Sequence, residues 1–217
     1  MIIEKRDRRW HQFLVIVRER FEEVIAESVS DCRLLLACAD SEPQSVARAW
    51  TAMRLRAQGL RAKVEEVWES QVREQYYALG AYEHADAAEA RGQALRDWME
   101  IELQRAETSL FADLARVQLD ELAREQAELR CPACGALLGL ALSLHPREHE
   151  CSSCGASQTI DPGARATTAL EYAPNLWREA CWDAWVAKRQ AELLVRRARE
   201  LTLAQLKAWE QAEIDYL

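Results

Sequence analysis

The chain has 217 residues, 49% of them hydrophobic, which is enough to bury a core and excludes a disordered polypeptide. A formal charge of −8 argues against a protein that coats phosphate backbones, because that task needs a basic surface. Residues 1–9 lack the apolar run of a signal peptide and the run at 13–17 is too short to span a bilayer, so a cytosolic protein with no membrane association is expected.

The seven cysteines are odd in number and four of them stand at metal-ligand spacing, which fits a reducing compartment better than a disulfide framework. The acidic excess is uneven: residues 39–130 carry 18 acidic against 12 basic side chains, whereas 1–38 and 164–217 each balance. Glycine is scarce, and four of the seven glycines (Gly135, Gly139, Gly155, Gly163) fall in one short stretch. The remainder has the composition of long helices.

Trp10, Leu14, Val17, Phe21, Val24, Cys32 and Leu35 recur at threes and fours, predicting a first helix over about residues 3–39. Ser41 and Gln44 have capping-box spacing and Pro43 suits a first turn, so the second helix starts there. Val46, Trp50, Met53, Ala57, Leu60, Val64 and Val67 carry it toward Tyr76 and Leu79, with a stop near Gly80. Asp86 and Glu89 offer a second cap, which starts the third helix near Ala87 and runs it to about Arg130. Glu102 and Glu121 fall beside its apolar stripe and need partners.

The next segment reads Cys131-Pro-Ala-Cys134-Gly135, a mostly apolar run to Leu144, a His145-Pro146 turn, then Cys151-Ser-Ser-Cys154-Gly155. Two residues between cysteines let both thiolates reach one ion, and sixteen residues between the pairs suit a hairpin that returns the second knuckle to the first. Four thiolates complete a tetrahedron and leave no open position, so one structural Zn2+ per chain is expected on Cys131, Cys134, Cys151 and Cys154. A rubredoxin-like iron centre uses the same geometry, and His149 is an alternative ligand near Cys151.

Pro174-Asn175 then opens a fourth helix through Trp177, Cys181, Trp185, Lys188, Val195, Leu201 and Leu206 to Ile214. All four helices would be about 50 to 65 Å long at 1.5 Å per residue. The expected fold class is all-α: an elongated antiparallel four-helix bundle or coiled coil, with a small β zinc ribbon between helices three and four. The domain reading is 1–130 for helices one to three, 131–163 for the ribbon, and 164–217 for helix four. Trp50, Trp177, Trp182 and Trp185 should gather near the ribbon end, with Trp10 and Trp209 near the termini. Trp182 is expected to be exposed for a partner, because Cys181 and Trp185 already claim the seam.

Nothing else has catalytic spacing. Cys32 and Cys38 fall on different helix faces, Cys181 reads as a small buried hydrophobe, and His11 and His84 have no partner at ligand spacing. Lys188, Arg189, Arg196, Arg197 and Arg199 form a basic cluster that fits pairing with the acidic middle helices better than nucleic acid. The reading is a non-enzymatic helical scaffold or adaptor with protein partners, whose narrow apolar stripes would serve a monomeric bundle or a homo-oligomer equally.

The ribbon is similar to zinc-ribbon modules, and Cys131, Cys134, Gly135, Gly139, Pro146, Cys151 and Cys154 after a long helix locally resemble the finger of the DksA/TraR family of RNA-polymerase regulators. That resemblance, over about a third of the chain, implies an acidic coiled-coil tip entering the polymerase secondary channel, with Asp86 and Glu89 as the tip residues. This sequence differs in its shorter loop before Cys151, its glycine after the second knuckle and its tryptophan-rich C-terminal helix.

Overall fold

The stripe of apolar residues at threes and fours becomes helix α1, Ile2–Ala37, with Trp10, Leu14, Val17, Phe21, Val24 and Cys32 buried along one face. The computed structural model describes residues 2–38, 42–197 and 202–216. Ser41 lies outside the described residues. Glu42 takes the extended N-cap conformation and Pro43 opens α2, Pro43–Val67.

The second helix then passes through a π-helical turn, Trp68–Val72, into α3, Arg73–Tyr77. Its buried residues explain why: Val64, Trp68 and Tyr76 are spaced by multiples of four. At 3.6 residues per turn each step of four drifts by about 40°, and one wider turn restores the face. Beyond α3 the chain closes a Schellman motif, the Gly80 amide donating to the Tyr77 carbonyl and the Ala81 amide to that of Tyr76. Leu79, expected in the stripe, is exposed in this turn.

α4 follows as one helix, Tyr82–Ala127. It starts before the Asp86–Glu89 cap expected from sequence, because the Schellman turn already reverses the chain. Asp86 and Glu89 therefore sit in its second turn, exposed.

The chain divides into two compact units, Met1–Glu107 with Cys181–Leu217, and Thr108–Ala180, so α4 contributes to both. The division falls inside α4 and at Cys181. In the first unit α4 runs antiparallel to α2, through Arg54–Glu107 (2.9 Å), Arg61–Glu100 (2.9 Å) and Arg96–Glu65 (2.9 Å). It lies alongside α1, where the Trp10 indole N–H donates to the Ala88 carbonyl at 2.8 Å and Phe21 meets Trp98 edge-on. An aromatic group joins this packing, with Phe13 stacked on Trp10 and Trp68 tilted against both Trp10 and Tyr76.

The single fourth helix expected over about 174–214 is instead several. α5 (Gly163–Tyr172) and α6 (Pro174–Ala180) belong to the second unit, α7 (Trp182–Arg197) and α8 (Leu203–Tyr216) to the first. Ala173 keeps helical dihedrals and its amide still donates to the Ala169 carbonyl, but Pro174 has no amide hydrogen to continue the ladder, which separates α5 from α6. Thr202 caps α8 reciprocally: its hydroxyl accepts from the Gln205 amide at 3.2 Å while its own amide donates to Gln205 Oε1 at 2.9 Å. α7 lies against α4 through Arg189 and Glu100, and α8 folds back on α7 through Lys188–Glu213 at 3.1 Å. The fold is all-α with one small antiparallel sheet, and among the described residues no helix is long and apolar enough to cross a membrane.

A carboxylate at the start of α1 ties three segments together. Asp7 accepts from the Tyr76 hydroxyl at 2.7 Å and from Arg91 at 3.1 Å, with His84 Nδ1 at 3.2 Å from its other oxygen. Burial would raise the Asp7 pKa, but the bonds from Tyr76, His84 and Arg91 outweigh it and hold the carboxyl below its ordinary 3.8. A depressed carboxylate contributes stability above its unfolded value, and loses it as pH falls through the lower folded one. Asp7→Asn is therefore expected to destabilise the chain at pH 7, with the gap to wild type narrowing in urea melts below pH 3.8.

Gly92 is a point of tight contact between α4 and the Trp10 ring of α1, since a Cβ there would lie 2.8 Å from Trp10 Cζ2. Gly92→Ala gains about 1 kcal/mol of helix propensity but overpacks the indole by about 1–3 kcal/mol. A net loss of stability, read as a lower urea midpoint, is expected. A stabilised variant would show the contact is not tight.

Candidate metal centre

Residues 131–160 have too few apolar side chains for a core of ordinary size, so their folding needs another source. Leu138 and Ile160 pack with the buried Cys131 and Cys151, flanked by the half-buried Ala136, Leu140 and Ala156. Two such side chains stabilise by about 1.5–3 kcal/mol each. An ion in a cysteine cage supplies about 10–16 kcal/mol of apparent free energy. Metal would dominate the folding of this segment.

The two knuckles are near copies offset by 20 residues. In each, the glycine amide donates to the carbonyl of the first cysteine (2.8 Å in both), and the first cysteine's amide donates to the alanine that follows the glycine (2.8 and 2.9 Å). Gly135 and Gly155 hold φ of 74° and 72°, a left-handed conformation in which a Cβ would be strained. Matching strand pairs close both turns: a lone bridge Arg130↔Leu137 around the first, and Glu150↔Ser157 around the second. The second pair ends a ladder between β1 (Arg147–Glu150) and β2 (Ser157–Ile160).

This symmetry brings the four sulfurs of Cys131, Cys134, Cys151 and Cys154 within 4.8 Å of one another. Sulfurs of opposite knuckles, Cys131 with Cys154 and Cys134 with Cys151, are 3.7 Å apart. A tetrahedron with metal–sulfur bonds of about 2.3 Å has edges of about 3.8 Å, so the cluster could hold one metal ion with little movement. The amides of Ser153 and Cys154 donate toward the Cys151 sulfur and pull its thiol down to about 7. For Cys154 the Ala156 amide acts the same way, but the neighbouring sulfurs of Cys134, Cys131 and Cys151 push the thiol up to about 12. The backbone favours a first thiolate, and the crowding opposes the next until a cation joins them. Neither His145 nor His149 belongs to the cluster.

Sequence spacing missed how the ribbon is fastened. The buried Gln126 side chain, on the last turns of α4, donates to the Ser143 carbonyl at 2.7 Å and accepts from the Ser143 amide at 2.8 Å. One carboxamide thus replaces a strand pair for the apolar run, which forms no strand of its own. Arg165 of α5 reaches back to Glu121 and to Glu125 (3.1 Å), which partners the carboxylate flagged beside the helix-three stripe. The Phe111 and Tyr172 rings meet at a tilt, with centroids 5.0 Å apart.

The other residues singled out from sequence are not brought to this cluster. Asp86 and Glu89 are exposed on α4 beside the turn that carries exposed Tyr77, Leu79 and Tyr82. Trp182 is half-buried, stacked on Trp185 at 4.7 Å. The exposed tryptophan is Trp177, at 75%, which seam spacing had turned inward. The break after Ala180 ended that seam. The same break leaves Cys181 exposed rather than buried. Lys188 pairs with Glu213, and Arg189 with Glu100 and Glu192. The side chains of Arg196 and Arg197, and all of Arg199, lie outside the described residues.

Elemental analysis of the purified chain is expected to return one equivalent of metal. Cys131→Ser and Cys151→Ser should each lose it and open residues 129–160 to protease, while the helical signal of the first unit persists. Metal retained in full by both variants would sink the assignment.

Comparison of the chain with family models, with curated proteins and with solved structures finds no match to any of them.

Proposed function

We propose that the chain is a non-enzymatic, zinc-binding helical scaffold or adaptor that joins protein partners in the cytosol. The observation that carries this reading is the closed cage: four sulfurs at tetrahedral spacing leave an ion no position for water or substrate. An ion so held stabilises a fold instead of activating a reactant. Zinc is the proposed ion because paired Cys-x-x-Cys knuckles followed by glycine suit it, and elemental analysis separates it from rubredoxin-type iron.

Two further observations support a protein partner over nucleic acid. Lys188 and Arg189, from the one basic cluster, are occupied by Glu213, Glu100 and Glu192 within the fold. Trp177 presents a large aromatic surface to solvent, and tryptophan is enriched among residues that dominate protein interfaces.

A second reading, a regulator that binds RNA polymerase through its tip, draws on the exposed carboxylates of Glu83, Asp86 and Glu89 near the turn. Affinity capture of the tagged, metal-replete chain from its native cell tests both. The adaptor reading expects a stoichiometric protein partner and no substrate turnover in an activity screen; metal-dependent turnover would defeat it. Recovery of core RNA polymerase, lost on Asp86→Ala with Glu89→Ala, would favour the second reading, and no recovery by either form removes it.

A further inference from the structure

We propose that a cavity in the first unit, between the first turns of α1 and the π-helical turn that leads into α3, binds a small organic anion with an aromatic or apolar body. Such binding goes beyond the adaptor reading and does not depend on it.

The cavity has a volume of about 230 Å³. Clefts for drug-sized ligands run to about 300–1,000 Å³, so this one suits a smaller molecule of one or two rings. α1 supplies Arg6, Arg9 and Phe13 to one side, and the π turn with the helix after it supplies Gln71, Val72 and Gln75 to the other. A single π turn within an α-helix is a frequent mark of a functional site. Val67, Val72 and Phe13 are half-buried and give the cavity an apolar wall. Phe13 stacks on Trp10 at 5.4 Å, which holds its ring in place.

Charge at contact selects the sign of the ligand. Among the described residues, the charged groups lining the cavity are the guanidiniums of Arg6 and Arg9, with no carboxylate beside them. Arg9 makes no hydrogen bond or ion pair among the described residues. Arg6 donates to the main-chain carbonyl of Gln75, which ties its guanidinium to the opposite wall without neutralising it. Asp7, next to Arg6 in the chain, is already held by Tyr76, His84 and Arg91, and Glu69 of the π turn is held by Arg73. The chain's net negative charge is a screened background here, whereas the two guanidiniums act at bonding distance. A carboxylate can take charge-assisted hydrogen bonds from Arg9 in bidentate geometry, and the Gln71 carboxamide is a further donor. Bare phosphate would leave the Phe13 and Val72 wall unused, so the matching ligand is an organic acid.

The test uses the full metal-replete chain and isothermal titration calorimetry with naphthoate, naphthylmethylammonium and inorganic phosphate. Naphthoate is expected to bind saturably at one site, at least about tenfold tighter than either of the others. Arg9→Gln removes charge at an exposed position without breaking a bond, and should weaken naphthoate about tenfold with urea midpoint and metal content unchanged. Gln71→Glu, which sets a carboxylate in the lining, should weaken it by about the same factor. Phosphate binding as tightly as naphthoate would show that the apolar wall plays no part, and would overturn the proposal. So would equal binding of the ammonium probe, no saturable binding of naphthoate, or an affinity that neither variant moves. If native-cell capture recovers no protein partner while naphthoate binds as expected, the adaptor reading falls and this site stands.

Discussion

Four thiol sulfurs within 4.8 Å of one another cannot all ionise without a cation among them, and the second unit is arranged around that constraint. Each knuckle buries its first cysteine and exposes its second, so the cage sits at an edge of the ribbon with Leu138 and Ile160 beneath it. Amide hydrogens from Ser153, Cys154 and Ala156 point toward sulfur, which offsets the negative charge that four thiolates around a divalent ion would leave. The two-residue core is too small to hold this shape alone, and the strand pairs on either side are short. Geometry imposed by an ion held there would stand in for a hydrophobic interior.

The first unit solves a different problem, packing several long helices with narrow apolar faces. It does so with a few large aromatics and with arginine–glutamate pairs along the edges of the stripes. Most of these pairs are partly exposed, so each contributes about 0–1 kcal/mol, and their value lies more in register than in strength. Arg54, Arg61 and Arg96 meet Glu107, Glu100 and Glu65 in an order that only antiparallel α2 and α4 allow. A slip of one turn would set arginine beside apolar positions.

Where the signal is local chemistry at fixed spacing, the sequence was readable. The Cys-x2-Cys-x16-Cys-x2-Cys pattern identified all four members of the cage, and threes and fours identified the buried face of α1, whereas α4 also buries Ile101, Leu103, Ala112 and Leu122 off its expected stripe. What escaped is set by details that periodicity averages away. The π turn follows from Val64, Trp68 and Tyr76 at multiples of four, a drift visible only once Trp68 is placed inside. The start of α8 was written in Thr202-Leu-Ala-Gln205, a capping box hidden by a continuing apolar repeat. Reading the last segment as one helix put Trp177 and Cys181 on a common seam with Trp185, a seam that the break after Ala180 divides. Gln126 could not be read at all, since its partner is a backbone group seventeen residues away.

The charge distribution links the two units to the proposed partner chemistry. Lys188, Arg189, Arg116 and Arg165, which could have made a basic surface, are each held by a glutamate of the same unit. The chain keeps a formal excess of eight negative charges, to which a filled four-thiolate cage around a divalent ion would add two. Charge of that sign would favour basic partners over distances of about the Debye length, roughly 8 Å in physiological salt, and disfavour phosphate backbones. Long-range attraction of this kind sets the sign of a partner and not its identity. Identity would come from apolar side chains at the point of contact, which is why the exposed Trp177 of the second unit carries more information than the acidic side chains.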